Sequence, residues 1–437
     1  MIFIIVFIFL FLFQLTNNRV KDELFKYVIY TFLGYWLVAL VLSSTNPYGL
    51  NSVEVSTYAV LVIYVASFVL GCAVVGNTTP VQTESSMIGT MIDDVTTNKL
   101  FQIFVLACDL FLLNLYIKEQ ALLSIHSAAD IRLNLDELLY QGNSFLGLGK
   151  NMIIDPLTPV MTFFSSYMLL YNRKKLIPLA LVLFYAIIAA FLGGSRGGIL
   201  RLATYGLFAL LCKNYLSPNG RSKMSLGRLF SFSIVVGVVL IVMSNMTSQR
   251  LYGTSGFSWD AVILGMDDLS QNFVTYCTGP FRALDHSFTN DYLNTLGGYK
   301  YGSCTFGFID GLIAVFLGPL GIKYTPGFKV VSSYLQENWI DIGGQMFNFA
   351  YTAPFMHYMD FGYIGVVLCP FVFGLFLRRL VNKFYKHTNP FLLITIAYLF
   401  TVAIDSGFTW RLYRHNAGMT LLYLYFLYRI YDRRIVR

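Results

Sequence analysis

Apolar residues run along this chain in long unbroken stretches. They show neither the three-and-four spacing of a surface helix nor the alternation of a half-buried strand. A helix needs about 20 mostly apolar residues to cross a bilayer. Eleven stretches approach or meet that length: 1–16, 27–43, 57–76, 99–117, 154–171, 176–192, 199–216, 229–246, 354–377, 390–406 and 412–428. The first has no basic residue before it, no small-x-small cleavage site, and is followed by Arg19 and Lys21. It reads as a signal anchor rather than a removed leader. The pattern predicts an all-α, polytopic integral membrane protein of about 11 transmembrane helices.

Two segments between runs are too long for simple turns. Residues 118–153 form one, with an amphipathic stretch at 128–139, and residues 247–353 form a much larger one. Loops of that length usually carry a role. The apolar stretch 311–318 inside the second is too short to span and reads as a short interfacial helix. Three parts follow: helices one to eight with the first loop (1–246), a large external loop (247–353), and helices nine to eleven with a cytoplasmic tail (354–437). Basic clusters near 19–26, 99, 173–175, 213–228, 378–386 and 429–437 all fall on one side if the N-terminus is outside and eleven crossings follow.

Composition agrees. Only 12% of residues are charged, about half the usual share for soluble domains, and mean hydropathy is +0.61. Soluble enzymes, nucleic-acid binders and disulfide scaffolds are excluded. The net charge of +8 contains no run of five basic residues, so no nucleic-acid partner is implied. Six cysteines show neither a CxxC pair nor zinc spacing, so neither a metal nor a cofactor is expected. Cys277 and Cys304 are both external in this topology; free thiols are the simpler reading and a disulfide the alternative.

The candidate chemistry gathers on the outer face. Gly193-Gly194-Ser195-Arg196-Gly197-Gly198 joins two runs there, offering free backbone N–H groups and a planar guanidinium suited to phosphate oxygens. The alternative is a tight hairpin whose Arg196 reaches to the interface. Arg250, Arg282, Arg411 and Arg414 complete an external cationic set, each otherwise a solvated charge or an ion pair, such as Arg411 with Asp405. His357 and Asp360 sit three residues apart at the outer end of the ninth run, on one helical face, where they could take a proton from a sugar hydroxyl. A capping or pairing role for Asp360 is the bland alternative. His286 and His415 are the alternative bases. Asp109 lies within the fourth run, at membrane depth, where an ionisable group is a functional candidate by default; polar packing with Asn114 is the competing reading.

The layout, the GGSRGG hairpin, the large late external loop and the segment Tyr351-Thr352-Ala353-Pro354 leading to Asp360-Phe361-Gly362-Tyr363-Ile364-Gly365 resemble the Wzy-type family of oligosaccharide repeat-unit (O-antigen or capsule) polymerases. The resemblance implies an enzyme of the bacterial inner membrane, with its active site facing the periplasm. Donor and acceptor would both be polyprenyl-pyrophosphate-linked oligosaccharides, with the lipid bilayer and a chain-length regulator as further partners. Transfer would be metal-independent, because pyrophosphate is already a good leaving group and arginines can neutralise its charge. On this reading Arg196, Arg250, Arg282, Arg411 and Arg414 bind pyrophosphate, and His357 and Asp360 act as catalytic groups. A ligase-like glycosyltransferase using the same donor is one alternative. A transporter or flippase of lipid-linked oligosaccharide is the other, disfavoured because the runs are nearly free of charge, Asp109 excepted.

Overall fold

In a computed structural model, the chain is described over residues 1–76, 87–123, 139, 144–172, 174–192, 196–212, 216, 237, 240–242, 244–245, 247–248, 257–317, 320–347 and 351–435. In chain order come α1 (Ile2–Arg19), α2 (Glu23–Thr45), α3 (Val55–Val74), α4 (Met87–Thr97) and α5 (Lys99–Leu123). Then follow α6 (Ser144–Gly149), a π-helical turn (Lys150–Ile154), α7 (Asp155–Tyr171), α8 (Leu176–Phe191) and α9 (Arg196–Leu211). Next are α10 (Trp259–Thr289), α11 (Tyr292–Thr295), α12 (Gly307–Leu317) and α13 (Gly327–Glu337). A hairpin of β1 (Ile340–Asp341) and β2 (Met346–Phe347), paired antiparallel with Ile340 opposite Phe347, precedes α14 (Ala353–Lys386). The last elements are α15 (Pro390–Asp405), a 3-10 turn (Arg411–Tyr413) and α16 (His415–Ile435).

The all-α expectation holds: about 81% of the structure is helical. Among the described residues, six helical stretches are long and apolar enough to cross a membrane: Ile2–Arg19, Glu23–Thr45, Val55–Val74, Lys99–Leu122, Lys150–Tyr171 and Ala353–Lys386. They coincide with six of the eleven expected runs. Leu176–Phe191, Arg201–Leu211 and Pro390–Asp405 are apolar but shorter. Most of the run at 229–246 and of the amphipathic stretch at 128–139 lies outside the described residues. The short helix expected near 311–318 appears as α12. Missed altogether was α10, a 31-residue helix in the segment read as loop. Its polar faces conceal it from a search for apolar runs.

By packing, the chain forms two units: Met1–Thr79 with Ser270–Lys386 and Leu399–Met419, and Pro80–Leu269 with His387–Tyr398 and Thr420–Arg437. In the first unit, Asp22 caps α2 by accepting from the Phe25 N–H at 3.3 Å. α1 leaves Phe3, Phe7, Leu10 and Phe11 exposed, an apolar face suited to lipid rather than water. α3 and α14 approach backbone to backbone, because Gly71 lies against the Phe371 carbonyl and Gly374 against that of Phe68. Where lipid replaces water, small residues of this kind let helices gain close van der Waals contact. Arg378 of α14 pairs with Asp22 at 3.5 Å, both buried, and lies 4.8 Å over the Phe25 ring. In the second unit, α8 packs on α5, α7 and α9. Tyr167 closes α7 onto α4 by donating to the Gly89 carbonyl at 3.0 Å.

Candidate functional site

The site is set by a break in α14. Gly362 adopts φ 63° and ψ −150°, outside the helical region and open to glycine at little cost. Residues 353–361 therefore fold back, bringing Gly365 against the His357 carbonyl, eight positions earlier in sequence. In a straight helix those positions would stand about 12 Å apart. The expected geometry, with His357 and Asp360 at the tip of one continuous span, is corrected accordingly. His357 stacks on Tyr64 at 5.9 Å, and Tyr64 contacts Trp36 at 5.5 Å. Counting helix rise from the Asp22–Arg378 pair puts Trp36 and Gly365 each about 20 Å along their helices. α2 and α3 continue about 13 Å beyond Trp36 and Tyr64. His357 is thus held within the helix packing, below the helix ends.

Both residues are fully buried, and both face Thr305. The Thr305 hydroxyl meets His357 Nδ1 at 2.9 Å. The Asp360 carboxylate accepts from the backbone N–H of Cys304 at 3.0 Å and of Thr305 at 2.5 Å. Trp410 Nε1 donates to the Thr305 carbonyl at 2.8 Å, and its ring stands edge-on to His357 at 4.8 Å. Among the described residues no hydrogen bond or ion pair joins His357 to Asp360. The expected pair is therefore not a dyad: Asp360 anchors the 302–305 turn, the capping alternative. His357 Nε2, by contrast, has no hydrogen-bond partner among the described residues. With Nδ1 fixed by a hydroxyl, the ring is oriented and one nitrogen is left for a further partner.

A second carboxylate secures the same segment. Asp310 accepts from the hydroxyls of Ser303 and Tyr324 and from the Gly327 N–H, and so ties α12 to the start of α13. That hydrogen bond to Asp310 raises the Tyr324 phenol above its ordinary value.

The expected cations differ in how each is held. Arg282 of α10 is buried and donates to the Asn51 carbonyl at 2.7 Å, to Asn46 Oδ1 at 3.0 Å and to the Thr278 carbonyl at 3.2 Å. It pins the turn between α2 and α3, and burial lowers its value despite the nearby Asp285 charge. As a pyrophosphate ligand it would first have to give up these bonds. Arg411 is paired with Asp405, the alternative weighed for it. Arg414 is exposed and its guanidinium lies 5.4 Å over the Tyr413 ring. His286 is part-buried, with Nδ1 3.0 Å from Asn290 Nδ2, and burial lowers its value. Arg196 begins α9 and belongs to the second unit. Arg250 and residues 193–195 of the glycine hairpin lie outside the described residues, as does the His415 side chain. Cys277 and Cys304 are free thiols, and burial pushes the Cys304 thiol well up. Among the described residues no group of three His, Cys, Asp or Glu side chains is arranged to hold a metal ion.

Sequence reasoning missed Thr305, Trp410 and Asp310. Trp410 adjoins Arg411 and was within reach of inspection; Thr305 carries no signal of its own. The fold and site define an α-helical chain with several helices suited to a membrane and a polar centre within its helix packing. No protein-family model, curated protein or solved structure matches the chain.

Proposed function

We propose that the first unit carries the reactive centre of a membrane glycosyltransferase that joins polyprenyl-pyrophosphate-linked oligosaccharide repeat units, as in Wzy-type polymerases. The observation that supports it is His357: its ring is oriented through Thr305, and Nε2 has no hydrogen-bond partner among the described residues. In the reaction, Nε2 takes the acceptor hydroxyl proton as that oxygen bonds to the donor anomeric carbon. The bond from that carbon to pyrophosphate oxygen breaks, and the polyprenyl pyrophosphate leaves with the electron pair. Arg414, exposed in the same unit, is the cation assigned to its charge. Asp360 is a positioning residue. Because His357 is buried, this reading requires the 299–306 segment to lift when substrate arrives, a gating step of the kind many enzymes use. The face would be periplasmic, on a bacterial inner membrane.

The test is purified protein with a lipid-linked repeat unit, scored for a ladder of longer glycans. The ladder should appear with wild type and fall about 10²–10⁴-fold with His357→Ala. No ladder from wild type, or an undiminished one from the folded variant, would remove the proposal.

A further inference from the structure

A second buried group is not used by that chemistry. Asp109 lies in α5, ten residues from Lys99 and fourteen from Leu123, so about 15 Å and 21 Å from the two helix ends. It is only 2% exposed, and neither carboxylate oxygen has a hydrogen-bond partner among the described residues. A carboxyl that serves packing is bonded, as Asp310 is; one that is bonded to nothing glues nothing. An unpaired ionised carboxylate is heavily penalised in such a setting, so the group is driven to hold a proton.

The neighbouring helices bring further polar groups close to it. Tyr185 of α8 is fully buried and lies within electrostatic reach of both Asp109 and Asp155. Its hydroxyl donates at 2.7 Å to the carbonyl of Ile154, which ends the π-helical turn. Tyr423 donates at 2.7 Å to Met152 in the same turn. Such π-helical turns recur at functional sites, and here two tyrosines fix one beside an intramembrane acid. Asp155 in turn pairs with Lys150 at 2.9 Å, with side chains 25% and 15% exposed. An unbonded carboxyl, a bonded tyrosine and a partly exposed ion pair thus share this unit.

We propose that the second unit holds a reversible proton-binding site, formed by Asp109 with Tyr185 beside it. Other titratable groups near it are accounted for. Cys108 is its chain neighbour; on α4, Asp93 is committed to Asn172 at 2.6 Å and Lys175 at 3.7 Å, and Asp94 is exposed.

Dicyclohexylcarbodiimide tests this directly on the full chain in liposomes. It reacts with a protonated carboxyl in an apolar setting: the acid proton passes to a carbodiimide nitrogen and the carboxyl oxygen bonds the central carbon, before rearrangement to a stable N-acylurea. Peptide mass mapping of wild type should locate the adduct on Asp109. Its yield should fall as pH rises, about tenfold per pH unit above the midpoint, as for one titrating proton. Asp109→Asn should abolish it, and Tyr185→Phe should move the midpoint. No adduct on Asp109 between about pH 5 and pH 9, or a yield constant across that range, would overturn the proposal by leaving Asp109 closed off or permanently neutral.

Discussion

The two halves of α14 are held by opposite means. Residues 353–361 are fixed by directional hydrogen bonds: the Ala353 N–H donates to the Ser406 carbonyl at 2.8 Å, Met359 accepts from the Lys300 N–H at 2.9 Å, and Asp360 holds two amides. Beyond Gly362 the helix relies on close backbone packing at Gly71 and Gly374 and on the buried Arg378–Asp22 pair. Both halves come from one apolar stretch. Apolarity therefore places the helix, while polar anchors and one left-handed residue decide where it bends. The half that relies on a few bonds is the half that carries His357.

The largest effect expected from attacking this contrast is in the first half. Asp360→Ala would leave two buried N–H groups without their acceptor. Bonds to a charged group contribute about 1.5–3 kcal/mol each, so unfolding stability should fall by about 3–6 kcal/mol. Thermal or denaturant unfolding in detergent checks this; a loss under about 1 kcal/mol would mean that the 302–305 turn is held by something other than Asp360. A smaller effect is expected in the second half. Leucine at Gly374 would press on the Phe68 carbonyl and on Cys72, forcing α3 and α14 apart at a cost of about 1–3 kcal/mol. Gly374→Leu should leave a cysteine placed at Ser303 as slow to react with thiol reagents as in the parent, whereas Asp360→Ala should expose it. Equal exposure in both variants would show that the halves are not independent.

Much of this was legible in the sequence. Six long apolar helices, the short helix near 311–318 and the Arg411–Asp405 pair all follow from local pattern. Spacing placed His357 and Asp360 on one helical face, and both do face Thr305. What spacing could not supply was the fold-back, because glycine at 362 reads the same in a straight transmembrane helix as in a break. Nor could it supply the partners, since Thr305 reaches His357 across 52 positions of chain. Arg282 illustrates the remaining limit. An arginine in an outer loop suggests an anionic ligand, yet three backbone and amide oxygens of its own chain already take its donors.

The smallest expected effect concerns acid, and it again separates the two halves. Residues 363–386 contain no histidine, so nothing there titrates near pH 6.5 by its ordinary value. His286 lies at the end of α10, two residues before Phe288, whose ring packs against Tyr358 at 4.8 Å and Tyr363 at 6.0 Å, one on each side of Gly362. Burial lowers the His286 value below 6.5, opposed in part by Asp285. The neutral ring also suits its partner, because Nδ1 can then accept from Asn290 Nδ2. The folded chain therefore prefers the neutral form. Its contribution is intact above about pH 6.5 and is lost as pH falls toward the lower folded value, where the unfolded chain takes up the proton first. Since the ring is partly exposed, the slope should lie well below the ~1.4 kcal/mol per pH unit of a full one-proton difference. Unfolding midpoints measured from pH 7.5 to pH 5 should decline less in His286→Gln than in wild type. Identical slopes would assign the acid sensitivity of the hinge to groups other than His286.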